Sequence, residues 1–225
     1  MIKTICGKEV EITRKNNKNI IIKVVDGKIK MTVPYRSTIS LAEAFFKSKQ
    51  GWIESRLNSS VKSRIIGVDD GDIIYIFGEE RRIKLLSEIT KPYEEDGNLC
   101  VPDAINKCKI LDKYLKEQLE KEAKKYFSYW EEKTGLKAEK VTIRKTDSRW
   151  GSCNHYTRRI NLSFYLINLP KECLNYVVLH ELGHIPYNNH GEKFKAFLTA
   201  NMSKWRDIRR YMKENGESMK IKIKS

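Results

Sequence analysis

Three of the four histidines in this chain fall between residues 180 and 190, in His180-Glu181-Leu182-Gly183-His184 and in the following Asn188-Asn189-His190. On an α-helix, residues four apart sit one above the other on the same face. His180 and His184 can therefore face one metal ion, with Glu181 beside them. His-Glu-x-x-His is the spacing at which zinc hydrolases set two imidazole ligands and a general base. His190 is the candidate third ligand, and three protein ligands leave a fourth position open for water. The expectation is one Zn2+ per chain, held by His180, His184 and His190, with Glu181 as the catalytic base. The alternative is a pair of core or surface histidines with an incidental glutamate. Val177, Val178 and Leu182 mark the helix as buried, and polar groups on such a helix are costly unless something satisfies them.

The segments around this motif must present it. Pro170 suits the first turn of the motif helix, where its missing N–H costs nothing, and Glu172 suits the positive helix end. Pro186 ends that helix near Ile185, and Asn188-Asn189 let the chain turn back so that His190 meets the other two. Phe194, Phe197, Leu198 and Trp205 are the expected core face of a last pair of helices. Upstream, apolar residues from Ile110 to Trp130 recur at helical spacing and stop at Thr134-Gly135. Val141–Lys145 and a stretch from Ile160 to Leu166 read as strands. The loop between them, Arg149-Trp150-Gly151-Ser152-Cys153-Asn154-His155, either plugs a turn with Trp150 or lines the site.

The N-terminal half carries no chemistry of its own. Strands are expected at Glu9–Thr13, Ile20–Val25 and Ile29–Val33, with a hairpin turn at Asp26-Gly27. Ser40-Leu41-Ala42-Glu43 has the form of a capping box, opening a helix that buries Leu41, Ala44, Phe45 and Phe46. A second helix, Trp52 to Val61, is expected to bury Trp52. Two further strand pairs turn at Gly78-Glu79 and Asp96-Gly97. The fold class is α+β, with a mainly β N-terminal module and helical insertion over residues 1–105 and a helix-and-short-sheet region over 106–225.

Composition narrows the function classes. No stretch approaches the ~18 apolar residues of a membrane span, and Met1 to Cys6 lacks a signal peptide's apolar run. Five cysteines without a C-x-x-C pair fit free thiols in a reducing cytoplasm. A net charge of +15 attracts anions, including non-specific nucleic acid, although the lysines are scattered. The densest basic run is Lys204 to Lys224, which includes Arg206, Arg209, Arg210 and Lys213.

Arg149-Trp150-Gly151-Ser152-Cys153, Ile160-Asn161-Leu162, His180 to His184, Asn189-His190 and Phe194 together resemble the YgjP-like metallopeptidase family, related to the SprT and WLM groups of zincin-like hydrolases. The likeness continues through Lys23-Val24, Val33-Pro34, Gly51-Trp52-Ile53 and Gly71-Asp72. It implies a zincin-like catalytic region over 106–225, with zinc on the three histidines and Glu181 as base. The expected activity is hydrolysis of a peptide or protein, with a peptide adding a strand beside Ile160–Leu166 and His155, Tyr165 or Tyr187 steadying the oxyanion. Two other readings stay open. One is a metal-dependent nucleotide phosphohydrolase (pyrophosphatase) on the same site. The other is a nucleic-acid-associated binding protein with structural zinc, which has no use for Glu181.

Overall fold

The computed structural model describes residues 1–25, 27–58 and 64–224. It is a mixed α+β chain with several small sheets and, among the described residues, six α-helices. It divides into two compact units, Met1–Lys62 and Ser63–Ser225. The division expected at residues 105/106 falls instead ahead of the second set of strands. Those strands carry an apolar face, Ile74, Ile76, Ile83, Leu99 and Val101, that shares one core with Leu111, Leu115 and Leu119. A sheet with one apolar face must bury it against another layer, and here that layer is the long helix that follows.

In the first unit, β1 (Ile2–Ile5), β2 (Lys8–Lys15), β3 (Ile21–Val25) and β4 (Lys28–Pro34) form a sheet of order β1-β2-β4-β3. The pairs β1–β2 and β3–β4 are antiparallel, and β2–β4 is parallel. β1 was not anticipated; it pairs with β2 across Cys6-Gly7, both at positive φ. The expected β3–β4 turn includes Asp26, which lies outside the described residues. Alternation puts Val10, Ile12, Ile29, Met31 and Val33 on one buried face. α1 (Ile39–Ser48) and α2 (Gln50–Asn58) cover that face with Ala42, Phe46 and Ile53. Thr38 rather than Ser40 caps α1, its Oγ1 accepting from the Leu41 N–H at 3.2 Å. The buried stripe accordingly starts at Ala42, and Leu41 and Trp52 stand 56% and 44% exposed, against the expected core roles. The expected extension of α2 to Val61 lies outside the described residues.

The second unit holds the candidate site. Its β5 (Arg64–Ile66) pairs in parallel with β13 (Ile221–Ile223). β6 (Ile73–Ile76), β7 (Glu79–Leu86), β8 (Tyr93–Glu95) and β9 (Asn98–Pro102) form a sheet of order β6-β7-β9-β8. Phe77-Gly78 and Asp96-Gly97, all at positive φ, make its two hairpin turns, as such turns require. α3 (Lys107–Thr134) ends at left-handed Gly135 and buries Leu111, Leu115, Leu119, Ala123, Phe127 and Trp130. β10 (Lys140–Arg144), β11 (Gly151–Asn154) and β12 (Arg159–Ser163) form a three-stranded sheet in which β12 is central. The strand expected to reach Leu166 stops at Ser163, whose hydroxyl accepts from the Tyr165 N–H and opens a 3-10 turn, Phe164–Asn168. α4 (Lys171–Gly183), α5 (Glu192–Asn201) and α6 (Trp205–Met219) complete the unit. No helix among the described residues is long and apolar enough to cross a membrane, and all five cysteines are free thiols.

Candidate metal centre

α4 is apolar on nearly every side: Cys173, Leu174, Tyr176, Val177, Val178, Leu179 and Leu182 are all buried. A helix hydrophobic all round belongs in the interior. It packs against α3, where the Trp130 indole N–H donates to Asn175 Oδ1 at 2.6 Å, and against β11, α5 and α6. The polar groups on this helix are consequently fixed in place. His180 and His184 are half-buried, and Glu181 is 5% exposed.

The helix stops at Gly183, two residues short of the expected Ile185, with His184 as its C-cap. Pro186 bars continuation. The last turn tightens through the His184 N–H to Glu181 carbonyl and Ile185 N–H to Leu182 carbonyl bonds. Asn189 Oδ1 then accepts from the Gly191 N–H at 3.0 Å, and α5 begins. The turn brings His190 back over α4, with its Nε2 3.1 Å from His180 Nε2. One ligand atom from each of His180, His184 and His190 lies within 4.8 Å of the others. Phe194 on α5 backs all three rings, stacked on His184 at 4.6 Å between centroids and edge-on to His180 and His190.

The donor chemistry suits a metal ion. The carbonyl of Tyr187 can only accept, so His184 Nδ1, 3.0 Å away, carries the proton and leaves Nε2 with its lone pair. Burial first, then the neighbouring His184 and His190, pushes His180 down to about 3, and burial likewise lowers His190. Both imidazoles are therefore neutral at physiological pH, the form that ligates. Tyr176, one turn before His180, places its hydroxyl 3.2 Å from His180 Nδ1 and holds that ring from behind. Tetrahedral zinc on imidazole nitrogens needs donors roughly 3.3 Å apart, and the closest pair here is at 3.1 Å.

Glu181 faces the sheet. A Cβ on Gly151 would lie 2.5 Å from Glu181 Oε1, so the carboxyl seats directly on the bare backbone of β11. Burial raises this carboxyl to about 8, with the Arg149 guanidinium opposing the rise. Trp150 next door packs as closely on Gly216 of α6, where a Cβ would meet its ring at 2.7 Å. Above that ring, at 4.5 Å, sits the buried ammonium of Lys220, which also donates to the Asp147 carbonyl at 2.8 Å.

Two clefts meet at His180 and Glu181. One, of about 360 Å³, extends between Trp150 and α6, whose Arg209, Met212 and Lys213 line it. The other, of about 290 Å³, runs along Ser152, Cys153 and His155 toward His184, Asn188 and His190. The segment Arg149 to His155 thus lines the site, and most of it is strand rather than loop. Of the residues expected near an oxyanion, His155 stands on the cleft wall. Tyr165 is buried away from it, its charged neighbours being Asp147, Lys222 and Asp112. Tyr187 contributes its carbonyl to His184, and its ring packs on Phe197. The strand expected to offer an edge to substrate, β12, has both edges occupied by β10 and β11; the edge strand at the clefts is β11. From sequence Tyr176 was given no role, and Arg209 appeared only as a member of the basic run Lys204 to Lys224. The first carries a signal, four residues before His180 on the same helix, whereas the second reaches the site only through the fold.

No curated protein matches the chain in a sequence comparison. Among solved structures, the crystal structure of the metallopeptidase zymogen of Pyrococcus abyssi abylysin is 19% identical, with a TM-score of 0.37, and the match covers 41% of this chain and 93% of that one. A family model for the YgjP-like metallopeptidase domain matches residues 18–215, which is most of the chain, and the protein therefore belongs to the YgjP-like metallopeptidase family.

Proposed function

We propose that this chain is a zincin-like, zinc-dependent peptide hydrolase whose ligands are His180, His184 and His190 and whose base is Glu181. The observation that carries the reading is the convergence of three imidazoles, at least two of them held neutral, beside a buried carboxyl seated on the edge strand β11. His180, His184 and His190 would hold a zinc ion, which would supply Lewis acidity toward a carbonyl and toward water and would favour the ionised form of Glu181. Glu181 takes a proton from water at a carboxylate oxygen and returns it to the leaving amine. Tyr176 keeps His180 in one orientation through Nδ1, and the Tyr187 carbonyl does the same for His184. β11 offers its free edge to a substrate backbone, which replaces water along the clefts.

Elemental analysis of purified protein should give one zinc per chain, and His184→Ala should lose it. Glu181→Gln should retain the metal while peptide turnover falls at least about a hundredfold, the scale of general-base catalysis. Normal turnover by Glu181→Gln would remove that residue from the chemistry. A second reading, hydrolysis of nucleoside triphosphates at the same centre, is favoured by the cations of the larger cleft, Arg149, Arg209 and Lys213. Phosphate release set against peptide cleavage separates the two.

A further inference from the structure

The larger cleft differs from its neighbour in charge. α6 presents Arg209, Met212, Lys213 and Gly216 at i, i+3, i+4 and i+7, one face of a helix. Gly216 takes Trp150, and the other three line the cleft. Arg149 lines both clefts, so Arg209 and Lys213 are the cations particular to the larger one, and the field of Arg209 reaches His180, His190 and Tyr176. Among the described residues, none of these three cations forms a salt bridge, whereas Arg210 pairs with Asp207 and Lys220 with Glu217. Glu181 is the only acidic residue on the lining. The floor is apolar, made by Trp150, Val177 and Met212.

We propose that this cleft is a substrate subsite for a carboxylate carried next to an apolar side chain, on the C-terminal side of the bond to be cut. The proposal rests on the peptide-hydrolase reading and adds a substrate preference to it. Its polarity follows from β11. Along the chain, Trp150 borders only the larger cleft, Gly151 borders both, and Ser152 and Cys153 border only the smaller one. A peptide pairing with β11 in the more stable antiparallel sense runs the opposite way, so its C-terminal portion enters between Trp150 and α6. There the cations meet either the free terminal carboxylate or an aspartate or glutamate side chain. A free strand edge beside the cations favours a peptide over a nucleotide, which has no backbone amides to pair with it.

The test uses the purified full chain, with and without chelator, and calorimetry of short leucine-containing peptides in three forms: free C-terminal acid, C-terminal amide, and amide with a glutamate beside the leucine. Carboxylate-bearing peptides should bind at least about tenfold tighter than the plain amide, the scale of a charge-assisted pair. The advantage should shrink with salt and persist with chelator, which excludes direct capture by the metal. Which of the two carboxylate peptides gains identifies the source. Arg209→Gln combined with Lys213→Gln, both exposed positions whose exchange leaves the core intact, should erase the advantage. Equal binding of acid and amide, or an advantage that survives the double exchange, overturns the subsite. Peptide cleavage without carboxylate preference overturns it while leaving the hydrolase reading standing. Hydrolysis of nucleoside triphosphates with no peptide cut overturns the peptide-hydrolase reading, and the subsite with it.

Discussion

At the scale of single residues, the candidate centre depends on groups that hold other groups. Tyr176 is the clearest case, because its hydroxyl meets His180 Nδ1 at 3.2 Å. Partners of this kind set ring orientation and are worth roughly ten- to a hundredfold in metal affinity. Tyr176→Phe should therefore weaken zinc about tenfold in competition with a chromogenic chelator, while the denaturant midpoint of the metal-free chain moves little. Unchanged zinc affinity would show that the hydroxyl does not orient His180. His180, Glu181 and His184 were legible in the sequence because their spacing is local, one turn of helix, and His190 was legible because it follows His184 by only six residues. Tyr176 was legible by the same rule, although buried tyrosines on apolar helices usually serve as packing and draw no notice. Arg209 carried no such mark: its position over the centre depends on how α6 lies against α4.

At the scale of elements, α5 acts as the floor of the centre. Phe194 is 2% exposed and touches all three imidazoles, so its removal opens a cavity under the ligands as well as in the core. Phe194→Ala should cost about 3–5 kcal/mol in chemical denaturation of the second unit and should weaken zinc in the same preparation. Phe194→Leu should recover most of the stability. A small effect of Phe194→Ala on both measurements would mean that the rings are held by their hydrogen bonds alone. Helices were the most legible elements. α3 shows a long periodic stripe and a glycine stop, and α4 is bounded by two prolines. β11 was read as a loop, since Gly-Ser-Cys-Asn has neither alternation nor β-branched residues; it becomes a strand by pairing with Ile160–Leu162 of β12. The same gap misassigned the substrate edge to β12. In the first unit, Thr38 and Ser40 both have capping chemistry, and choosing Ser40 set the wrong face of α1 toward the core.

At the scale of the molecule, two compact units, each with its own hydrophobic cluster, divide the chain. All three candidate ligands lie in the second, and a ligand stabilises only the cooperative unit that binds it. Heating should therefore give two transitions, of which chelation lowers one. Selective loss of the near-ultraviolet signal from Trp130, Trp150 and Trp205 would identify that transition as the second unit's. A single transition shifted as a whole would mean that the units melt together. The boundary was misplaced from sequence because Pro102 and the start of α3 punctuate the chain more strongly than the true division does; which core a strand joins is a tertiary fact. The pairing of β5 with β13 ties the opening strand of the second unit to residues 221–223. During translation, a nascent chain that has reached His190 already owns every imidazole but lacks α6 and the strand that completes β5. Such a ribosome-bound intermediate would have an open, half-walled trough, because Arg209, Met212 and Lys213, the α6 side of the larger cleft, are still to emerge.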